Sequence, residues 1–479
     1  MPQEEIHWLG ATELVEAYRA RRLSPVEVTR AILDRIARLN PSLNAFCLVD
    51  EAAALADARA AEARWRDGVP AGPLDGVPVS IKDLVYTRGW PTLRGSLTSD
   101  PAGPWDFDGP AVARLRETGA VLLGKTTTPE IGWRGSTDSP LTGITRNPWR
   151  LDVTPGGSSG GAVAAVAAGL GPLAVGTDGG GSVRIPAAFT GTVGLKAHFG
   201  RIPVFPASIM GSVSHVGPQT RTVADCALML CVLSRPDARD WTALPSIGRD
   251  WTEDARDGAR EGGLRGLRIA YSPRLGYVRY VDPRVERAVA RAAEVLESLG
   301  AHVAKADPDI PDSTEAFRIH WFCSARQALH RLPPERFALL DPGLQDSVRA
   351  GARYSIVDYL DAQALRAELA LRMARFAQRF DLLLTPATAV PPFEVGRVMP
   401  TPPPEHAGVA SYDWSWWTPF SYPFNLSQQP ALVMGCGFTD DGLPLALQLV
   451  APAHREDLCL RAAAAYESAT DWHLRRPPI

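Results

Sequence analysis

The chain has 479 residues, 45% of them hydrophobic and 22% charged, the balance of a soluble globular protein with one large core or two to three modest domains. A formal net charge of −3, with arginines spread along the chain, leaves no electrostatic footprint for nucleic acid or an acidic membrane. The six cysteines (Cys47, Cys226, Cys231, Cys323, Cys436 and Cys459) are scattered without a Cys-x-x-Cys pair. That spacing reads as reduced thiols in a cytoplasmic protein, not as a disulfide frame or zinc site. No basic region followed by an apolar stretch opens the chain, so no secretory signal is read.

Ser24-Pro25-Val26-Glu27 combines a capping box with proline at the first helical position, and Val28, Ile32, Leu33 and Ile36 repeat at helical spacing. Asn40-Pro41 is expected to close that helix. Ala52 to Arg66 reads as a second, alanine-rich helix. From Gly76 to Lys82 the pattern switches to period two, with Val77, Val79 and Ile81 on one strand face and Ser80 and Lys82 on the other. Val112 to Thr118 predicts a helix, and Ala120 to Leu123 a buried strand. Residues 153 to 177 carry no charge, but Pro155, Pro172 and many glycines and alanines make them a buried core segment, not a membrane span. Within and beyond them lie a small-residue helix at 162–168, strands at 173–175 and 267–270, a helix from Val285 to Leu299 closed by Gly300, and a strand at 381–384. This alternation predicts an α/β layered fold with a largely buried sheet.

Residues 387 to 419 break the alternation. They are proline-rich and end in Tyr412-Asp413-Trp414-Ser415-Trp416-Trp417, and clustered tryptophans argue for an ordered, functional loop. No repeat and no convincing linker divides the chain. We read 1–479 as one domain: N-terminal helices over 1–70, a catalytic core over 71–235, a more variable pocket region over 236–420, and a return to the core over 421–479.

Two glycine-wrapped serine loops, Gly156-Gly157-Ser158-Ser159-Gly160 and Gly179-Gly180-Gly181-Ser182, flank that small-residue segment. Glycine clusters of this density belong where backbone must come close to something. Gly119 to Thr126 satisfies the letter of a phosphate loop, yet its intervening residues are Ala-Val-Leu-Leu, which belong inside a strand. Gly156 to Gly160 also satisfies the nucleophile-elbow pattern, which needs a later acid and histidine. His320, His330, His406 and His454 are available, but none has a distinctive setting. A third reading uses both loops and Lys82. Desolvation lowers the pKa of an amine on the polar face of a buried strand, making it a general base. Ser158 then relays a proton between Lys82 and the nucleophile Ser182. The amides of Gly179, Gly180, Gly181 and Ser182 converge on the developing oxyanion.

These residues closely resemble the amidase signature family, and the likeness runs along the whole chain. It includes Gly76 to Asp83, Arg146-Asn147-Pro148-Trp149, both serine loops with their spacing, His215-Val216-Gly217-Pro218, Tyr422-Pro423-Phe424-Asn425-Leu426 and Gly442 to Leu449. The resemblance implies an α/β/α sandwich around a large mixed sheet. It also implies a Ser–cis-Ser–Lys triad of Ser182, Ser158 after a cis peptide, and Lys82. Gly179 stands where many members carry a side chain, which predicts a more mobile loop. The implied activity is hydrolysis of a small-molecule amide through an acyl-enzyme on Ser182, with no cofactor, metal, nucleic acid or membrane, and with a homodimer as the allowed assembly. Carbamate, urea or ester hydrolysis uses the same triad, and so does the amidase component of a tRNA-dependent amidotransferase. The rings of Trp414, Trp416 and Trp417 point to an apolar or aryl substrate, the alternative being a loop anchor.

Overall fold

Eleven strands hydrogen-bond into one mixed sheet, ordered β1-β3-β2-β6-β8-β7-β12-β13-β11-β9-β10. The computed structural model describes residues 3–479. In chain order the strands are β1 (Phe46–Val49), β2 (Pro78–Lys82), β3 (Val121–Thr126), a separate hairpin of β4 (Asp138–Ser139) and β5 (Gly143–Ile144), β6 (Leu173–Asp178), β7 (Val193–Lys196), β8 (His215–Thr220), β9 (Arg268–Tyr271), β10 (His302–Lys305), β11 (Leu382–Pro386), β12 (Ala431–Phe438) and β13 (Pro444–Val450). The period-two and continuous apolar runs thus all reach one sheet, and the fold is the expected α/β/α sandwich. Helices Pro283–Ser298 and Glu456–Ser468 pack on β12 and β13, while the short helix Arg184–Thr190 packs on β7, β12 and β13. No helix among the described residues is long and apolar enough to cross a membrane.

The part of this sheet that matters for the site is β3-β2-β6. β2 runs parallel to both neighbours, with Ile81 opposite Lys125 on one side and Val175 on the other. A strand flanked by parallel partners is covered on both faces, and every residue of β2 is buried, the polar Ser80 and Lys82 included. Lys82 is its last residue. The same register ends β6 at Thr177 and Asp178, directly before the Gly179–Ser182 loop. The candidate functional groups thus gather at the carboxyl ends of adjacent parallel strands, where open α/β sheets place their ligands.

One expectation changes here and another holds. The helix that Ser24 caps does not stop at Pro41; it runs from Pro25 to Leu43 with the proline inside its last turn. Asn40 explains the extension. Its carbonyl accepts from the Asn44 amide at 2.7 Å, and its side-chain Oδ1 accepts from Ala45 and Phe46 at 2.8 Å each. The chain then leaves the helix through Asn44 in the left-handed region, at φ 51°. The phosphate-loop pattern is absorbed by β3. Lys125 is fully buried, with Nζ donating to the Val85 carbonyl at 2.6 Å and Thr92 Oγ1 at 2.8 Å, so it is a core side chain.

Candidate active site

Directly after the first serine loop, the small-residue segment forms the helix Gly160–Ala167, every residue of which is buried. Its packing against the sheet sets Ser158 and Ser159 over the ends of β2 and β6. Lys82 Nζ hydrogen-bonds Ser158 Oγ at 2.8 Å, Ser159 Oγ at 2.9 Å and Thr177 Oγ1 at 2.8 Å. Ser159 Oγ also donates to the Thr177 carbonyl at 3.2 Å, so toward Lys82 it acts as acceptor. The peptide between Gly157 and Ser158 is cis. Gly132 packs on the hydroxyl: a Cβ there would lie 3.2 Å from Ser158 Oγ. Burial pushes the Lys82 amine well below the usual lysine range, and Asp178 opposes that shift only in part.

Asp178 organises the second loop. Burial alone would raise its carboxyl, but the buried Arg184 guanidinium and a hydrogen bond from Asn425 outweigh that and hold it well below the usual range. Arg184 grips both carboxylate oxygens at 3.0 Å each, and Asn425 Nδ2 reaches Oδ1 at 2.8 Å. The carboxylate also accepts from the amides of Gly181 at 2.7 Å and Val183 at 3.2 Å, on either side of Ser182. One expectation is corrected as a result. The Gly181 amide points at Asp178, which leaves Gly179, Gly180 and Ser182 as the loop amides for which no hydrogen bond is found among the described residues. Ser421 Oγ donates to the Gly180 carbonyl at 2.7 Å and fixes that peptide. The loop is also walled in, since a Cβ on Gly180 would sit 2.7 Å from Phe317 and 2.9 Å from Trp414.

Ser158, Thr177, Gly179 and Ser182 all line one cavity of about 180 Å³. The Ser159 amide donates to the Ser182 carbonyl at 3.2 Å and joins the two serine loops through their backbones. No histidine hydrogen-bonds either serine among the described residues, and His215, which adjoins Asp178, turns Nδ1 toward the Asp178 and Val213 carbonyls. The elbow reading therefore has no base. Most of the cavity wall is apolar, with Tyr86, Phe205, Met210, Val216 and Trp321 prominent. Trp321 sits where Gly179 makes room for it; a Cβ on Gly179 would be 3.3 Å from the indole.

The tryptophan cluster does not line this cavity. Trp414, Trp416 and Trp417 are all buried, Trp417 completely. Trp417 stacks on Phe189 at 5.7 Å between ring centres and meets Phe393 edge-on at 5.2 Å. Trp414 donates Nε1 to the Trp133 carbonyl at 3.0 Å, which also accepts from Trp321. Trp416 abuts Met399 and His406. The cluster anchors the loop and backs the Gly180 turn. Sequence reading also passed over Ser159, Thr177, Asp178, Arg184, Asn425 and Trp321. Ser159 and the Thr177-Asp178 pair directly adjoin the serine loops, so adjacency alone marks them. Asn425 lies in the Tyr422–Leu426 segment without a role having been read for it, and nothing local marks Trp321.

A protein-family model described as Amidase matches residues 27–460. The chain belongs to the amidase family. It is 38% identical over 484 residues to an acylamidase of Rhodococcus erythropolis, covering 100% of this chain and 98% of that protein. It is 36% identical to a glutamyl-tRNA(Gln) amidotransferase subunit of Roseiflexus castenholzii, with 99% and 98% covered. Among solved structures, a bacterial aryl acylamidase of the amidase signature family superposes with a TM-score of 0.88 at 33% identity, covering 98% of each chain. A 6-aminohexanoate cyclic dimer hydrolase with bound substrate superposes at 0.87 and 29% identity, covering 98% and 99%. This amidase is a hydrolase of carboxamide C–N bonds.

Proposed function

We propose that this amidase works through an acyl-enzyme on Ser182, with Lys82 as general base, Ser158 as proton relay, and the amides of Gly179, Gly180 and Ser182 as oxyanion donors. The observation that carries the reading is the 2.8 Å hydrogen bond between the fully buried Lys82 amine and Ser158, at the wall of a cavity that Ser182 shares. A neutral amine has two N–H groups and one lone pair. Ser159 and Thr177 accept the two N–H groups, and the lone pair faces the Ser158 hydroxyl.

Ser182 Oγ attacks the amide carbon while its proton passes to Ser158 Oγ and the Ser158 proton moves to Lys82. The carbonyl oxygen becomes an oxyanion met by preorganised amides, an interaction whose removal typically costs about 10²–10³-fold in rate. The C–N bond breaks as the proton returns through Ser158 to the departing nitrogen, leaving an ester on Ser182 and a neutral Lys82. Water attacks that ester along the same proton path, and collapse releases the acid and restores the Ser182 hydroxyl.

The cavity supports an aryl or short alkyl amide as substrate. A cavity of about 150 Å³ already accommodates benzene, and this one is of that order with mostly apolar walls. The acylamidase and aryl acylamidase relatives support the same class. Carbamates, ureas and esters fit the same chemistry. The amidotransferase relatives support a second reading, as the ammonia-supplying component of a tRNA-dependent complex; co-purification of partner chains with glutaminase activity would favour it. The dispersed free thiols support a cytoplasmic setting, and a homodimer stays part of the proposal.

A fluorophosphonate should phosphonylate Ser182 alone, located by peptide mass spectrometry, and Ser182→Ala should abolish both labelling and turnover. An adduct on Ser158 with Ser182 intact would overturn the assignment.

A further inference from the structure

Among the residues lining the substrate cavity, the one charged side chain is Arg94, and no carboxylate comes within ion-pair distance of it among the described residues. The side chain is partly buried, and its Nε is sealed from solvent with no hydrogen-bond partner. Arg114, Arg116, Arg134 and Arg318 also leave Nε without a hydrogen bond. Each of those is ion-paired, with Glu117, Asp108, Asp138 and Asp413 respectively. Arg94 is the exception, and it faces the cavity.

Its position is built with care for geometry. Asp83, the residue after Lys82, accepts from the Leu93 amide at 3.2 Å and the Gly95 amide at 3.4 Å. Lys125 stands 3.7 Å from the same carboxylate, so Asp83 clamps the loop without answering the Arg94 charge. Arg94 itself sits at φ 59°, the left-handed region that non-glycine residues avoid. Its carbonyl accepts from the amide of Ile131 at 2.7 Å, and Ile131 lies at φ 55°. Two strained residues joined by a hydrogen bond therefore line one wall, and strain of this kind gathers at ligand sites.

We propose that Arg94 recognises an anion, so that the preferred substrates carry a carboxylate on an otherwise apolar acyl or amine group. The inference rests on the amidase reading above and narrows its substrate class. The planar guanidinium fork matches a carboxylate through two parallel hydrogen bonds, and an apolar surround strengthens them.

The test uses matched pairs: 4-acetamidobenzoate against 4-nitroacetanilide for the amine side, and succinanilate against butyranilide for the acyl side. In one pair, Arg94→Met should lower the carboxylate-to-neutral ratio of kcat/KM by about 10- to 100-fold, the worth of one charged hydrogen bond, and Arg94→Lys should keep part of it. Arg94→Gln serves the same comparison if the methionine variant misfolds. Binding is read independently of turnover, as a Tm rise with 4-acetamidobenzoate or succinanilate that is larger for Ser182→Ala than for Ser182→Ala/Arg94→Met. Ratios unchanged in both pairs, with equal Tm rises, overturn the Arg94 proposal. Failure of the wild type to cleave either neutral anilide counts instead against the aryl-amide reading beneath it.

Discussion

Replacing Lys82 with methionine separates the two things a buried amine does. On the catalytic side, losing a general base lowers the rate by about 10²–10⁴-fold, or roughly 2.7–5.5 kcal/mol of barrier. On the stability side the sign follows from the direction of the shift. Burial holds the folded pKa well below the usual lysine value, while the unfolded chain keeps its proton up to about pH 10.4. Between those two values the unfolded state binds one proton more. Wild-type stability therefore rises with pH by about 1.4 kcal/mol per unit, and the methionine variant lacks this slope. Ser158 and Thr177 lose their amine partner, which adds an offset of about 1–3 kcal/mol per orphaned hydroxyl that does not depend on pH. Ser159 keeps the Thr177 carbonyl. Denaturant melts of both proteins at pH 7, 8 and 9 read the slope, and kcat/KM over the same range reads the base. The wild-type rate should climb with pH and level off below the ordinary lysine pKa. Stability differences that stay constant across the range would mean that the folded amine is charged, and the base assignment would fall with them.

Trp417→Ala removes a fully buried ring and should cost about 3–5 kcal/mol of stability, with no change in the preference for an anilide over propionamide. Trp321→Ala should lower that preference roughly 5- to 30-fold in kcat/KM, the effect of losing about 1–2 kcal/mol of apolar contact; the reverse pattern would return the pocket to the 414–417 cluster. Asp178→Asn leaves Arg184 buried without its counter-charge and should cost about 3–5 kcal/mol and slow acylation of Ser182. Because the Asp178 carboxyl is held low, its contribution is present above about pH 3.9 and is lost as pH falls, so the wild-type advantage should shrink in acid melts.

Much of the site was legible in the chain because its chemistry is local in sequence. Gly-Gly-Ser-Ser-Gly and Gly-Gly-Gly-Ser are backbone requirements, and they mark Ser158 and Ser182 before any fold is known. Period-two spacing put Lys82 on a strand, and helical spacing located the helices Pro25–Leu43, Glu51–Asp67 and Pro283–Ser298 to within about three residues, while Thr314–Leu329 and Ile356–Phe376 were not read. The Pro41 expectation failed for a local reason: a proline in the last turn removes a single amide donor, and Asn40 holds the turn around it.

What the chain alone determined is therefore the class of fold, together with the candidates for the reacting groups, because glycine content, capping residues and apolar periodicity act over a few residues. Tertiary packing decided the surroundings of those groups. Nearness to Tyr422-Pro423-Phe424-Asn425 made Trp414, Trp416 and Trp417 look like pocket rings, yet burial turned them into the core and brought Trp321 from a helix some 140 residues after Ser182. The Gly181 amide is no longer a candidate oxyanion donor because Arg184 and Asn425 fix Asp178 beneath it. Which face of a side chain meets substrate depends on contacts between segments hundreds of residues apart, and the direction of an amide on the charge beneath it; neither is written in the spacing of residues.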